Sequence, residues 1–200
     1  MIRPVPVTCV VLLLSLAQGA RAWSAQGADQ LLPSTTKSFV SIPDVQEFRR
    51  RWSETQLGKL GADPVMKPFA QDLQRQLRNR LLNGSFNVTL SWDELFRACG
   101  GELCVASIQP GNDPKAHASV MILDVAGQRA EAEEVMRKVA EELVRQGARR
   151  SVKQVAGQEL VTQQIPRRRG ELEPETVIRF LVNDLLVIGN HEATCVEILE

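Results

Sequence analysis

The residues of this chain best suited to chemistry are its cysteines, its two histidines and one run of arginines. Cys99, Cys104 and Cys195 would each need a base close by to act as a nucleophile, and only His117 and His191 could serve. His117 falls at the start of a strand and His191 at the start of a helix, where an imidazole is commonly a solvated turn residue. No catalytic pair is therefore assigned. A GxSxG elbow, a Gly-rich phosphate loop and an HExxH helix are all missing from the sequence. With no CxxC pair and two histidines, a zinc site is not expected, and no motif calls for a cofactor. Glu102 and Asp124 could lie on adjacent strands, but acidic residues at strand ends usually face solvent.

Arg167, Arg168 and Arg169 form the densest charge run and make a candidate anion patch for a polysaccharide, phosphate or lipid head group. The competing reading is a solvated loop balanced by Glu171, Glu173 and Glu175. Cys99 and Cys104 are a candidate disulfide, with two glycines among the four residues between them. Closing so short a loop would stabilise by about 2 kcal/mol in the chain-entropy account. Equally, Cys99 could end a helix while Cys104 points into the core as a small hydrophobe. Cys195 reads as a buried free thiol. Asn83 and Asn87 fit glycosylation sequons, which matter only in a eukaryotic secretory pathway.

The elements that must position these residues can be read from punctuation and periodicity. Residues 1–22 read as a signal peptide: Arg3 is the basic start, Val7 to Ala17 the apolar stretch, and Ala20-Arg21-Ala22 the small-x-small cleavage pattern. Eleven residues of helix rise about 16 Å, roughly half a hydrocarbon core, which disfavours a spanning anchor. The expected location is outside the cytosol, periplasmic or extracellular, where thiol pairs can oxidise. Residues 23–36 read as a flexible lead-in, and 37–200 as one domain. Within it, SFVSI (38–42) is a short strand, and Asp44 with Glu47 a capping box opening a helix through Val45, Phe48 and Trp52. Asp63-Pro64 reads as a second helix start, followed by an apolar row at Met66, Phe69, Leu73, Leu77 and Leu81. Ser91 and Glu94 make another capping box.

From Glu102 the period becomes that of strands. Segments 102–109 and 118–125 read as an antiparallel pair, and 128–146 as an amphipathic helix with Ala132, Val135, Met136, Val139, Leu143 and Val144 inward. Strands follow at 150–156, 159–165, 176–182 and 185–189, with turns at Gly157-Gln158 and Asn183-Asp184. The expected fold is α+β: an antiparallel sheet with helices mainly on one face, plus an N-terminal helical lobe packed beside it. A helix opens at His191 and the chain stops two turns later among Val196, Ile198 and Leu199, which predicts truncation at the C-terminus.

LLPSTTKSFVSIPDVQEFRRRWSETQLGKLGADPVMKPF is similar to the opening of an uncharacterised family of exported bacterial proteins, a domain of unknown function. Trp52, Thr55, Leu57, Gly58 and Leu60 match its W-x-x-T-x-L-G-x-L pattern, and Asp63-Pro64 with Lys67-Pro68-Phe69 match the next element. Ser91–Leu95, Gly101-Glu102 and LLVIGNHEAT (185–194) resemble later steps, so the likeness spans about 31–199. It implies export and a usually longer chain, and it brings no catalytic residues. The 24 basic and 24 acidic side chains argue against nucleic acid as partner, and the single long apolar run excludes a membrane channel. The function expected is a non-catalytic binding or scaffolding module of the cell envelope, with an unknown protein or envelope polymer as partner. The alternative is an exported hydrolase whose site is completed by sequence beyond residue 200.

Overall fold

A computed structural model of the chain describes residues 27–79, 90–113, 116–166 and 175–200. The leader at 1–22, the sequons at Asn83 and Asn87, and the Arg167–Arg169 run lie outside the described residues.

Alternation of apolar residues dictates the sheet. Strands β1 (Thr36–Ile42), β2 (Leu103–Ile108), β3 (Ala118–Asp124), β4 (Arg149–Val155), β5 (Gln158–Ile165), β6 (Glu175–Val182) and β7 (Leu185–Gly189) form one sheet in the order β1-β2-β3-β7-β6-β5-β4, antiparallel throughout. The register sets Cys104 against Ile122, Ile122 against Val187, and Val187 against Phe180, so apolar residues run across the sheet in rows. Successive residues point to opposite faces, and the central strands are apolar at both parities. Both faces must therefore be covered.

One face lies under helix α6 (Arg129–Arg145), whose Ala132, Val135, Val139 and Leu143 are buried against Met121, Leu123, Val177, Leu186 and Ile188. Helix α5 (Trp92–Ala98) packs beside α6 and adds Leu95 and Ala98 to the same cluster. The second face holds Cys104, Ile108, Ile122, Leu160, Ile178, Phe180 and Val187. It is closed by Ala28 of α1 (Ala28–Leu31) and by Cys195 and Ile198 of α7 (Glu192–Leu199). At Gly189 the strand passes so near α7 that a Cβ would run into the Cys195 sulfur. The fold is α+β as the patterning implies, with α5 and the long α6 on one face and the short α1 and α7 on the other.

Three local expectations are revised. Residues 27–35, read as flexible, are folded: Ala28 is buried, and its N–H donates to the Glu102 carboxylate at 2.9 Å. Asp63 does not start a helix. Its carboxylate accepts from the Val65 N–H at 2.8 Å in a turn, and the next helix, α4 (Lys67–Arg78), begins with Pro68 in its first turn. The β4–β5 hairpin turns at Ala156-Gly157, one residue earlier than expected, because the two-residue loop closes on the Val155–Gln158 pair.

The helical lobe also differs from its expected form. Helix α2 (Val45–Glu54) is capped by Asp44, which accepts from the Glu47 N–H at 2.8 Å, but the Glu47 carboxylate turns to Arg50 and Arg51 instead of completing the box. Val45 is the only buried residue of α2, and neither α3 (Gln56–Ala62) nor α4 has one. The lobe is tied on by Gln46 reaching the Phe96 carbonyl at 3.2 Å and by the Trp92 indole N–H donating to the Gln74 carbonyl at 3.4 Å.

Two tests follow from the local chemistry. Ala156 holds a φ of 48° beside Gly157 at 78°, a left-handed pair that suits Asn-Gly and strains alanine. Ala156→Asn should stabilise by about 1 kcal/mol in denaturant unfolding, and a neutral or destabilising result would refute that strain. Glu94 receives the Ser91 N–H and hydroxyl in a complete capping box and meets Lys138 at 3.0 Å, and these contacts hold its carboxyl down at about 2. Its folded value lies below the ordinary 4.5, so the stabilisation is present above that pH and drains as pH falls toward 2. Glu94→Gln should flatten this acid limb of the melting temperature.

Candidate functional site

The thiols are built into the core. Cys99 caps the end of α5, and its sulfur donates to the Glu102 carbonyl at 3.2 Å within the α6-side cluster. Cys104 belongs to the opposite face, beside Ile122 and Ala106 in sequence and register, and Cys195 lies on that face too. All three are free and buried. The candidate Cys99–Cys104 bridge is not formed, because the two sulfurs occupy clusters on opposite sides of the sheet. Burial pushes the thiols up, to about 11 for Cys99 and Cys104 and about 12 for Cys195, the reverse of what a nucleophile requires.

The histidines do not supply a base to them. His191 is the N-cap of α7: its Nδ1 accepts from the Thr194 N–H at 3.3 Å and lies 2.9 Å from the Thr194 hydroxyl. His117 is exposed ahead of β3. Glu102 and Asp124 hold backbone, Glu102 gripping Ala28 and the Ser41 hydroxyl, and Asp124 accepting from the Ala126 N–H at 2.9 Å. Among the described residues no group of three metal-ligating side chains comes together.

The polar group that does stand out is Arg179. It lies on β6 facing α6, is only 8 % exposed, and sits among residues whose neighbours are apolar. One guanidinium nitrogen donates to the amide oxygen of Gln163, itself 0 % exposed on β5. The Gln163 amide nitrogen donates in turn to the Ala140 carbonyl of α6 at 3.3 Å. Across the β4–β5 pair, Gln163 stands opposite Arg150. Burial, reinforced by the Arg150 charge, holds the Arg179 guanidinium down at about 10. No carboxylate of the described residues forms an ion pair with it.

Two cavities flank this pair under α6. One, of about 340 Å³, is bounded by Arg129, Gln154, Gln158, Glu159 and Arg179. The other, of about 470 Å³, lies one helical turn along and is bounded by Ala140, Val144, Arg145, Arg150 and Gln163. A third, of about 570 Å³, opens on the other sheet face at the start of α7, among Arg149, Ser151, Thr162, Thr176 and His191.

Sequence reasoning passed over Arg179 because TVIRFLV reads as an ordinary strand. The signal was its phase: Val177, Arg179 and Leu181 share one parity, as do Val161, Gln163 and Ile165, so each polar residue interrupts a core-facing row.

Compared with known proteins, the chain matches no family model, no curated protein and no solved structure. Among the described residues no helix is long and apolar enough to cross a membrane.

The thiol arrangement has a direct check. Cys99, Cys104 and Cys195 should all stay silent to a disulfide-exchange reagent at neutral pH in the native protein and all react once it is unfolded without reductant. A pair that remains silent after unfolding would restore the bridge.

Proposed function

We propose that the chain is an exported, non-catalytic binding or scaffolding module of the cell envelope, and that it docks a protein partner through helices α2–α4. The observation that carries this reading is an apolar row left open to solvent. Trp52 is 48 % exposed, Leu60 48 %, Phe69 63 % and Leu73 47 %, with Phe48, Leu57 and Leu77 similarly open. Phe48 and Trp52 stack at 6.0 Å and so form a preassembled aromatic knob. Exposed apolar rows of this extent are sites of association, and large aromatics dominate such contacts.

Charge indicates the kind of partner. Residues 45–78 carry seven basic and four acidic side chains. The four acids are engaged nearby: Glu47 and Glu54 bond Arg50, Asp72 bonds Arg75, and Asp63 holds the Val65 N–H. Lys59 and Lys67 have no ion pair among the described residues. A protein surface with an apolar centre and a carboxylate rim complements this arm. The leader-like start of the sequence and its likeness to exported bacterial proteins support an envelope partner.

A photoreactive side chain at Leu73 tests the reading in cells producing the full chain. A discrete protein adduct in the envelope fraction, lost on Phe69→Glu with the melting temperature unchanged, is expected. Adducts only to lipid, or only between copies of the chain, would refute it.

A further inference from the structure

A guanidinium buried without a carboxylate is an incomplete arrangement, since removing a charge from water is costly unless it is paired. Arg179 has a neutral partner, Gln163, and a like-charged neighbour, Arg150. Among the described residues neither arginine has an acidic partner, whereas the buried Thr194 is satisfied by His191. The Gln163 amide is oriented from both ends, by Ala140 and by Arg179, so the guanidinium is held in place and its remaining N–H groups are preset. Arg179 forms part of the wall of the 340 Å³ cavity, whose size lies at the lower end of the range of ligand pockets. Gln154 and Gln158 bring further amide donors to that wall.

We propose that Arg179, backed by Gln163 and Arg150, forms a binding site beneath α6 for the oxyanion of a small ligand, a carboxylate or a phosphate. Arginine suits either group, because its planar fork donates two parallel hydrogen bonds. Glu159 borders the same cavity and is the acidic group that faces it. It is solvent-exposed and lies on β5 two residues before Val161, the residue paired with Arg179. Gln163 lies on the other side of that pair along β5, so the guanidinium is drawn away from Glu159. Arg129, on the far wall, is engaged by Glu133 at 3.5 Å and Asp184 at 3.4 Å, which leaves Arg179 as the principal charge for the ligand.

The test measures thermal unfolding and titration calorimetry of the purified protein with inorganic phosphate and with acetate, against chloride at equal ionic strength. Phosphate or acetate should raise the melting temperature in a saturable way, and whichever anion acts at the lower concentration identifies the head group. Arg150→Gln, at an exposed position, should weaken binding by about tenfold. Arg179→Gln should abolish it, and Glu159→Gln should strengthen it. Equal stabilisation by chloride, or unchanged binding in both arginine variants, would overturn the proposal. So would anion binding that arises only in Glu159→Gln, because Glu159 would then be the counter-charge. The readout does not involve the α2–α4 arm, so its failure and that of the docking proposal are separate results.

Discussion

Pairing of β3 with β7 is the constraint on which the rest of the structure depends. The two strands are separated by the whole of 125–184, yet they lie side by side with Ile122 against Val187 and Leu123 against Leu186. This pairing joins the β1-β2-β3 portion to the β7-β6-β5-β4 meander, and it closes with the Val125 N–H donating to the Asp184 carbonyl at 2.7 Å. Long separation makes such a contact entropically costly to form. What offsets the cost is that the four residues lie in rows buried on both faces, so the pair gains apolar burial twice. Helix α6 can place its stripe only after the two halves have met, because its partners Met121 and Leu123 come from one half and Val177 and Leu186 from the other.

Most of this architecture was legible because it is local. The β2–β3 pair, α6, the complete Ser91–Glu94 box and the β6–β7 turn at Asn183-Asp184 all announce themselves within a few residues. The misreadings share a cause: a local signal was read without the tertiary contact that decides it. Small polar residues at 27–35 looked like a loose leader, but Glu102 recruits their backbone. Asp63-Pro64 has the chemistry of a helix start and is used as a turn because proline recurs at residue 68. Cys99 and Cys104 are close in sequence, but five positions carry the chain from a helix end into a strand, and strand parity then sends the two sulfurs to opposite clusters.

The candidate site was harder to read for a similar reason. Arginines attract notice when they cluster, as at 167–169, and a lone arginine inside a strand is taken to face water. Arg179 differs in sharing parity with Val177 and Leu181, which fixes it on the α6 face. That inference needs the strand, its partner and the covering helix at once. Gln163 makes the point again, since a fully buried amide in VTQQI is unremarkable until Ala140 and Arg179 are known to lie at its two ends.

The order of the strands sets the two proposed interaction regions apart. The arm leaves the sheet directly after β1, one edge strand, and is tied to α5 beside β2. Arg150 lies on β4, the other edge, and Arg179 two strands in. At about 4.8 Å per strand the edges are roughly 29 Å apart, too far for one small ligand to span. The edges differ in character as well. On β1, Phe39 and Val40 are exposed, whereas β4 carries Arg149, Arg150 and Lys153. Charged residues on an edge discourage a further strand from adding, so β4 is guarded against the sheet extension that β1 leaves open. The proposed docking arm and the proposed anion site therefore belong to opposite ends of one sheet, and occupancy of one would leave the other accessible.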